Sequence, residues 1–394
     1  MTAVLVMIPA GEVYDHDCVR WYDYRNVQKS INHYHNIGDA FVYDSSLKLL
    51  SYDRLEVLNI EQVVPEDIDR LRNEFDYVFL RGSNYIHASM NWRRAEEVLQ
   101  RLRLPVLAFG IGAQAPSKGE LVLSEQTKQV LHLMADSSAS VGVRGAYTAE
   151  VLWRHGIKNV RIVGCPTAFR NLDPDLQITL PALEQVREVG LTVRREVSPN
   201  YAPDVERYLN FHRDLVKEMA ARFEAVLMAQ GEIEEKAIVL GTAEQKEAAL
   251  KKLREHGWAS QWYMDDEIEQ LYRTRLFYSD VVADYEQLVR RKDLVLGYRL
   301  HGNLMALANA VPSIYFTYDS RTTEFAETFA IPSHNVFAQR PFRIEDYWNQ
   351  ALFDRFNRAY YACYREMRTF LDENGIAHKM AAEGAAAAPA CRVA

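Results

Sequence analysis

Residues 293–319 read DLVLGYRLHGNLMALANAVPSIYFTYD. DLVLGY is a short apolar run with the length of a buried strand. GNLMALANA (302–310) is small and apolar enough for a helix, and VPSIYFTYD (311–319) is a second strand. Strand, helix and strand at this cadence make a parallel βαβ unit with a right-handed crossover. The turn inside it, GYRLHGN (297–303), carries Arg299 and His301, followed at once by Gly302. The spacing predicts an extended segment on which Arg299 and His301 point to one side and Leu300 to the core.

The same cadence runs through the amino-terminal half. VLVMIPA (4–10), FDYVFLRGSN (75–84), PVLAFGIGAQ (105–114), SVGVRG (140–145) and NVRIVGCPTAF (159–169) read as strands. DAFVYDSSLKLL (39–50), NWRRAEEVLQRLRL (91–104), SEQTKQVLHLMA (124–135) and AYTAEVLWRHGI (146–157) read as helices between them. The two prolines of NLDPDLQITLPALE (171–184) mark a connector, and EVGLTVRREV (188–197) restarts the pattern. Long helical stretches follow at 201–224, 234–257, 265–277 and 285–293, and a terminal one at 354–374. The expected fold is α/β: two Rossmann-like domains with parallel sheets facing across a cleft, over 1–175 and 186–335. Helices over 340–378 cross back to brace the first half, and a frayed, small-residue-rich tail occupies 379–394.

Composition narrows the function. The 394 residues are 48% hydrophobic and 25% charged, with a formal net charge of −8. Lys and Arg are scattered, which excludes a dedicated nucleic-acid surface but not a small anion held by a few arginines. The cysteines, Cys18, Cys165, Cys363 and Cys391, form no CxxC pair. That argues against a disulfide framework or structural zinc and for a reducing, cytoplasmic setting. MTAVLVMIPAGE has no basic leader region and reads as the first buried strand. DHDC (15–18) and the pair His33/His35 lack the spacing and third ligand of a metal site, so no metal is expected.

In parallel sheets ligands sit where strands end and helices begin. That rule selects Asp39 in HNIGDA, Ser83 and Asn84, then Gly110, Gly112 and Gln114. It also selects Arg144 at the start of 146–157, Arg299 and His301, and Arg321 and Glu324 in YDSRTTEF. Each has a plainer use. Asp39 is equally an N-cap, GIGAQ equally a tight turn, and Arg144 equally a structural ion pair. Arg194 and Arg195 read as a solvated pair on a strand end. The aromatics of WYDYRNVQKSINHYHN either stack on a sugar or cover a domain edge. An arginine beside a histidine is the pairing expected for an anionic substrate that must be protonated.

Taken in order, NIGDA (36–40), FLRGSN (79–84), FGIGAQ (109–114), SVGVRGAYTAEVL (140–152), VGCPTAF (163–169) and YRLHGNLMALANAVPSIYFTYDSRTTEF (298–325) resemble the polysaccharide pyruvyl transferase family. RGSN departs from the family's usual glycine pair at Arg81-Gly82. The resemblance implies a GT-B-like fold and transfer of the pyruvyl unit of phosphoenolpyruvate onto two sugar hydroxyls, giving a cyclic ketal and free phosphate, with no cofactor or metal. It implies His301 as general acid and Asp39 as the carboxylate near the acceptor. Arg144, Arg299, Leu300, Gly302 and Arg321 would hold phosphoenolpyruvate; Asn36, Gly38, Ser83, Asn84, Gly112, Gln114 and Glu324 would contact the acceptor or shape the loops. Backbone N–H groups opening helices 39–50 and 146–157 would receive the departing phosphate.

Two other classes stay open at this stage. One is a glycosyltransferase of the same architecture, using a nucleotide sugar with Glu324 as the ribose contact. The other is a non-catalytic carbohydrate-binding relative. The acceptor is a polymer repeat, a lipid-linked sugar or a small molecule, and a lipid-linked one would bring at most transient contact with the inner membrane face. Helices 201–224 and 354–374 serve either homo-oligomer contacts or bracing within one chain.

Overall fold

The computed structural model describes residues 1–7, 31–32, 36–88, 90–115, 119, 121–199 and 202–382. DHDC, His33/His35, most of the aromatic 21–36 segment and residues 383–394 lie outside the described residues. The amino-terminal half runs β1 (Ala3–Met7), α1 (Ile37–Leu49), β2 (Arg54–Leu58), α2 (Pro65–Glu74), β3 (Tyr77–Leu80), α3 (Arg93–Leu102) and β4 (Val106–Ala108). It continues through α4 (Glu125–Asp136), β5 (Val141–Val143), α5 (Ala146–Arg154) and β6 (Val160–Ile162). The carboxyl half opens with β7 (Glu188–Thr192), α6 (Val205–Arg222), β8 (Glu224–Met228), α7 (Ile233–Leu240), α8 (Ala243–Glu255), α9 (Gly257–Trp262) and α10 (Asp266–Arg275). It then runs β9 (Leu276–Phe277), α11 (Val282–Val289), β10 (Leu294–Gly297), α12 (Leu300–Ala308), β11 (Ser313–Thr317), α13 (Ser320–Thr328), β12 (Ser333–Asn335), α14 (Ile344–Tyr347) and α15 (Gln350–Glu373).

The first sheet has the order β2-β1-β3-β4 and every pair is parallel. An Ile111–Val143 bridge carries it on to the parallel pair β5-β6. The second sheet, β12-β11-β10-β7-β8-β9, is also parallel throughout. Two Rossmann-like α/β halves thus face each other, the GT-B-like arrangement. Helices α1 and α12 meet between them. Both are buried on nearly all sides, so they lack the one-sided apolar stripe of a surface helix. Their core is common to both halves: Val4, Phe79 and Phe109 share it with Leu304, Phe329 and Tyr364.

Helix α15 crosses back onto the first half. Arg161 reaches Glu366 at 2.7 Å and Glu373 at 2.6 Å, and the Tyr360 hydroxyl donates to the Asp173 carbonyl at 2.6 Å. The chain stays paired past residue 378, since the Lys379 N–H donates to the Leu49 carbonyl at 2.8 Å and Met380 is buried. Two sequence readings need correction. The stretch 234–257 is two helices, broken at Gly241, because Thr242 and Gln245 form a capping box that starts α8 afresh. β2 and α2 have no counterpart in the sequence reading.

The second half buries a neutral histidine. His212 lies 4.3 Å from the Tyr298 ring and 4.9 Å from the Tyr263 ring, centroid to centroid. Burial, aided by the charge of Arg299, lowers its pKa to about 3. The unfolded chain titrates histidine near 6.5 and so binds the extra proton first as pH falls. Stability contributed by neutral His212 is present above about pH 6.5 and is lost as pH falls toward 3. The unfolding temperature should therefore drop across that window, and His212→Phe should flatten the drop. Parallel profiles for the two proteins would refute this.

Candidate active site

Strand order locates the site. The chain leaves β7 toward β8 and β10 toward β11, in opposite directions along the sheet. Their carboxyl ends therefore bound a crevice at a topological switch point, where such sheets take ligands. A cavity of about 270 Å³ opens there, walled by both halves. Asn36, Asp39, Ser83, Asn84, Gln114 and Arg144 face it from the first, and Arg299, Leu300, His301 and Arg321 from the second. Gly38, Gly112, Gly302 and Glu324 are not part of its wall and lie behind it.

Arg299 and His301 do not share an extended segment, which corrects the sequence reading. Helix α12 begins at Leu300 with Arg299 as its N-cap residue, so the two side chains diverge. The Arg299 guanidinium turns back along β7, donating to the Val193 carbonyl at 3.2 Å and pairing with Glu232, both partners buried. His301 points across the cleft toward α1. Burial holds its pKa down to about 4; Asp39 opposes the shift, and Arg321, Arg81 and Arg144 reinforce it. In the protein alone the ring is neutral at neutral pH.

Asp39 is not a cap. Asn36 caps α1, its Oδ1 accepting from the Gly38 N–H at 3.1 Å, which leaves the Asp39 carboxylate in the first turn. It lies 3.3 Å from buried Arg81 and stays about a quarter exposed. RGSN thus departs from the glycine pair with a residue that fixes the cavity's carboxylate.

Arg144 is anchored from several sides. Its Nε lies 3.0 Å from Glu324, Nη1 donates to Asn84, Nη2 donates to the Ala113 carbonyl, and the guanidinium carbon lies 5.1 Å from the centroid of the Phe325 ring. The side chain crosses Gly112, where an added Cβ would sit 2.0 Å from the Arg144 Nε; only glycine leaves that path open. The other Glu324 oxygen accepts from the Thr148 N–H at 2.7 Å, in the first turn of α5. A carboxylate already occupies that helix terminus, the position expected to receive phosphate. Glu324 therefore holds Arg144 and α5 together instead of reading a ligand.

Arg321 is more open. Its side chain is one-fifth exposed, with the Tyr318 hydroxyl at 3.2 Å and Asp319 at 3.6 Å. Arg194 donates to the same hydroxyl from the other strand end. The expected solvated pair is thus divided: Arg194 lines the cavity, whereas Arg195 is buried against Glu234 and Glu235. Arg194 lies two residues past the end of β7, so the strand-end rule could have found it. Gln230, Tyr318 and Cys165, also in the wall, were missed. Burial pushes the Cys165 thiol up to about 11, which leaves it protonated and a poor nucleophile. Among the described residues no cluster of three or more His, Cys, Asp or Glu side chains is placed to hold a metal ion.

The family model for polysaccharide pyruvyl transferase matches residues 36–320, from the cap of α1 to the first residue of α13. The chain belongs to the polysaccharide pyruvyl transferase family. The match spans Asp39, Arg144, Arg299 and His301; Arg321 and Glu324 lie just beyond it. No curated protein matches this family member. Solved structures similar to it include the UDP-GlcNAc 2-epimerase of Neisseria meningitidis bound to UDP-GlcNAc, at 8% identity over 95% of this chain and 99% of that one, with a TM-score of 0.43. The UDP-GlcNAc 2-epimerase of Methanocaldococcus jannaschii shares 13% identity over 94% and 100%, with a TM-score of 0.41. Anabaena HepE in complex with UDP and glucose shares 10% over 95% and 96%, with a TM-score of 0.42. At these scores the likenesses bear on neither ligands nor chemistry. Among the described residues of this pyruvyl transferase family member, no helix is long and apolar enough to cross a membrane.

Proposed function

We propose that the protein transfers the pyruvyl group of phosphoenolpyruvate onto two hydroxyls of a sugar, in a polysaccharide or a lipid-linked precursor, and releases phosphate. The observation that carries this reading is His301 and Asp39 facing one small cavity ringed by Arg144, Arg299 and Arg321. Phosphoenolpyruvate presents a carboxylate and a phosphate, each suited to a guanidinium fork. Arg321 is the most open of the three. Arg144 and Arg299, already held by Glu324 and Glu232, present fixed cations that need little reorganisation on binding.

In this scheme His301 delivers a proton to the methylene carbon, and the first sugar hydroxyl adds to the carbon bearing the phosphate. Asp39 receives the hydroxyl proton. The carbon–oxygen bond to phosphate then breaks, and the second hydroxyl closes the ketal. The proton on Asp39 then passes back to His301, so over a full turnover one hydroxyl proton replaces the one given to the new methyl group and the other leaves on the released phosphate. The depressed pKa of His301 is that set by the protein groups alone; a bound polyanion at contact distance favours the protonated ring. The nucleotide-sugar reading loses its ribose contact, since both Glu324 oxygens are engaged and the residue is 1% exposed.

The carboxylate charge of Asp39 raises the His301 pKa against the effect of burial. Asp39→Asn should therefore move the alkaline limb of the kcat profile to lower pH, beyond any loss of rate from the missing base. A limb at the same pH in both proteins would uncouple the two residues. The reading itself is tested by phosphate release from phosphoenolpyruvate, with polysaccharide and lipid-linked glycan fractions of the source cells as acceptors. Release that requires the acceptor and yields a ketal-bearing product is expected. Nucleotide release from a UDP- or GDP-sugar with the same fractions, and none of phosphate from phosphoenolpyruvate, would overturn it.

A further inference from the structure

Gln230 lies two residues past β8 and belongs to the cavity wall. It is only 1% exposed, and its Nε2 is buried without a hydrogen-bond partner among the described residues. A buried amide donor left unmade is costly, and native proteins keep few of them. The residue is well fixed. Its carbonyl accepts from the Ile37 N–H at 2.8 Å, tying β8 to the first turn of α1 in the opposite half.

The carboxamide occupies a slot made by two glycines. A Cβ at Gly38 would sit 3.1 Å from Gln230 Oε1 and 3.0 Å from His301 Nδ1; one at Gly302 would sit 2.7 Å from Gln230 Nε2. The amide therefore bridges the amino-terminal turns of α1 and α12, next to the proposed acid. Oε1 lies on the Gly38 and His301 side, and Nε2 faces Gly302 and Thr192. The last torsion of a glutamine is broad and roughly two-fold. Turning the amide over brings the NH₂ group to the His301 side.

We infer that Gln230 is a substrate-binding residue, whose carboxamide donates a hydrogen bond to an anionic oxygen of the ligand beside His301. The pyruvyl-transfer reading supplies only the identity of that anion; the donor role stands on the slot and the unpaired amide. The oxygen belongs to a phosphoryl group or to a carboxylate, and the two sources separate experimentally.

The test is calorimetric titration of the full chain with phosphoenolpyruvate and, separately, with inorganic phosphate, in wild type, Gln230→Met and Gln230→Glu. Loss of a hydrogen bond to a charged group should raise the dissociation constant of Gln230→Met roughly tenfold or more. Gln230→Glu should bind more weakly still, because it sets a carboxylate against the anion. The ligand-free unfolding temperature of Gln230→Met should be no lower than wild type, since the variant removes a donor that had no acceptor. Weakening with both ligands assigns the bond to phosphoryl oxygens; weakening with phosphoenolpyruvate alone assigns it to the carboxylate. Equal affinities in wild type and Gln230→Met would overturn the inference. So would a loss of affinity accompanied by a lower ligand-free unfolding temperature, the mark of a merely structural residue. A wild type that binds phosphate but not phosphoenolpyruvate would remove the pyruvyl reading and leave Gln230 to be judged on phosphate. A wild type that binds neither overturns both.

Discussion

Replacing His301 with alanine is expected to slow phosphate release from phosphoenolpyruvate by roughly 10²–10⁴-fold, the usual worth of one positioned proton donor. The affinity for phosphoenolpyruvate should stay within a few fold of wild type. His301 is the histidine in the cavity wall, and the arginines there are held by partners other than the imidazole: Arg299 by Val193 and Glu232, Arg144 by Glu324, Asn84 and Ala113. Removing the ring therefore leaves the cationic frame standing. In the protein alone burial holds the His301 pKa down to about 4 and the ring neutral, so its acid role depends on the bound anion. The alkaline limb of kcat should consequently lie at higher pH than that of kcat/KM, because only the former reports the occupied site. Undiminished turnover in His301→Ala would remove the residue from proton transfer. A large fall in affinity with unchanged kcat would make it a binding group.

The second large effect concerns Arg144 and Glu324, which are separated by about half the chain and are each only 1–2% exposed. Taking away one member leaves a buried, uncompensated charge, at a cost of about 3–5 kcal/mol. Arg144→Met should accordingly lower the denaturation midpoint sharply, and the loss also reaches α5, whose Thr148 N–H is capped by Glu324. The double variant Arg144→Met/Glu324→Gln should recover most of that stability, since the remaining amide is neutral and its oxygen still accepts from Thr148. It should not recover binding of phosphoenolpyruvate, which needs the cation. Recovery of stability and binding together would make Arg144 purely structural. Equal instability of single and double variants would contradict the buried-charge account.

Where sequence succeeded and failed follows from the range of the interactions. The strands and their turns are legible because each is a local apolar run followed by a helix, and the strand-end rule needs nothing more. That rule places Asp39, Asn84, Gln114, Arg144, Arg299, His301 and Arg321 at the cavity without any pairing information. β2 was missed because it is a sheet-edge strand whose burial rises only gradually, so its alternation is faint. The start of α12 was misread because Gly302 looks like a breaker. In the fold that glycine sits inside the helix and makes room for Gln230. The partners of the arginines were beyond reach for a different reason. Glu232 and Glu324 meet Arg299 and Arg144 only through the packing of distant segments, and no local pattern records such a pair. For the same reason Arg195, read as solvated, is buried between two glutamates of α7.

The most direct test of the central claim is thermal unfolding of the purified protein across a concentration series of phosphoenolpyruvate, with UDP- and GDP-sugars in parallel. A ligand at 100 times its dissociation constant adds about 2.7 kcal/mol to the folded state, a readily measured shift. The account predicts stabilisation by phosphoenolpyruvate that disappears in Arg321→Ala, the variant that removes the most open cation of the site. Stabilisation by a nucleotide sugar with no response to phosphoenolpyruvate would contradict it.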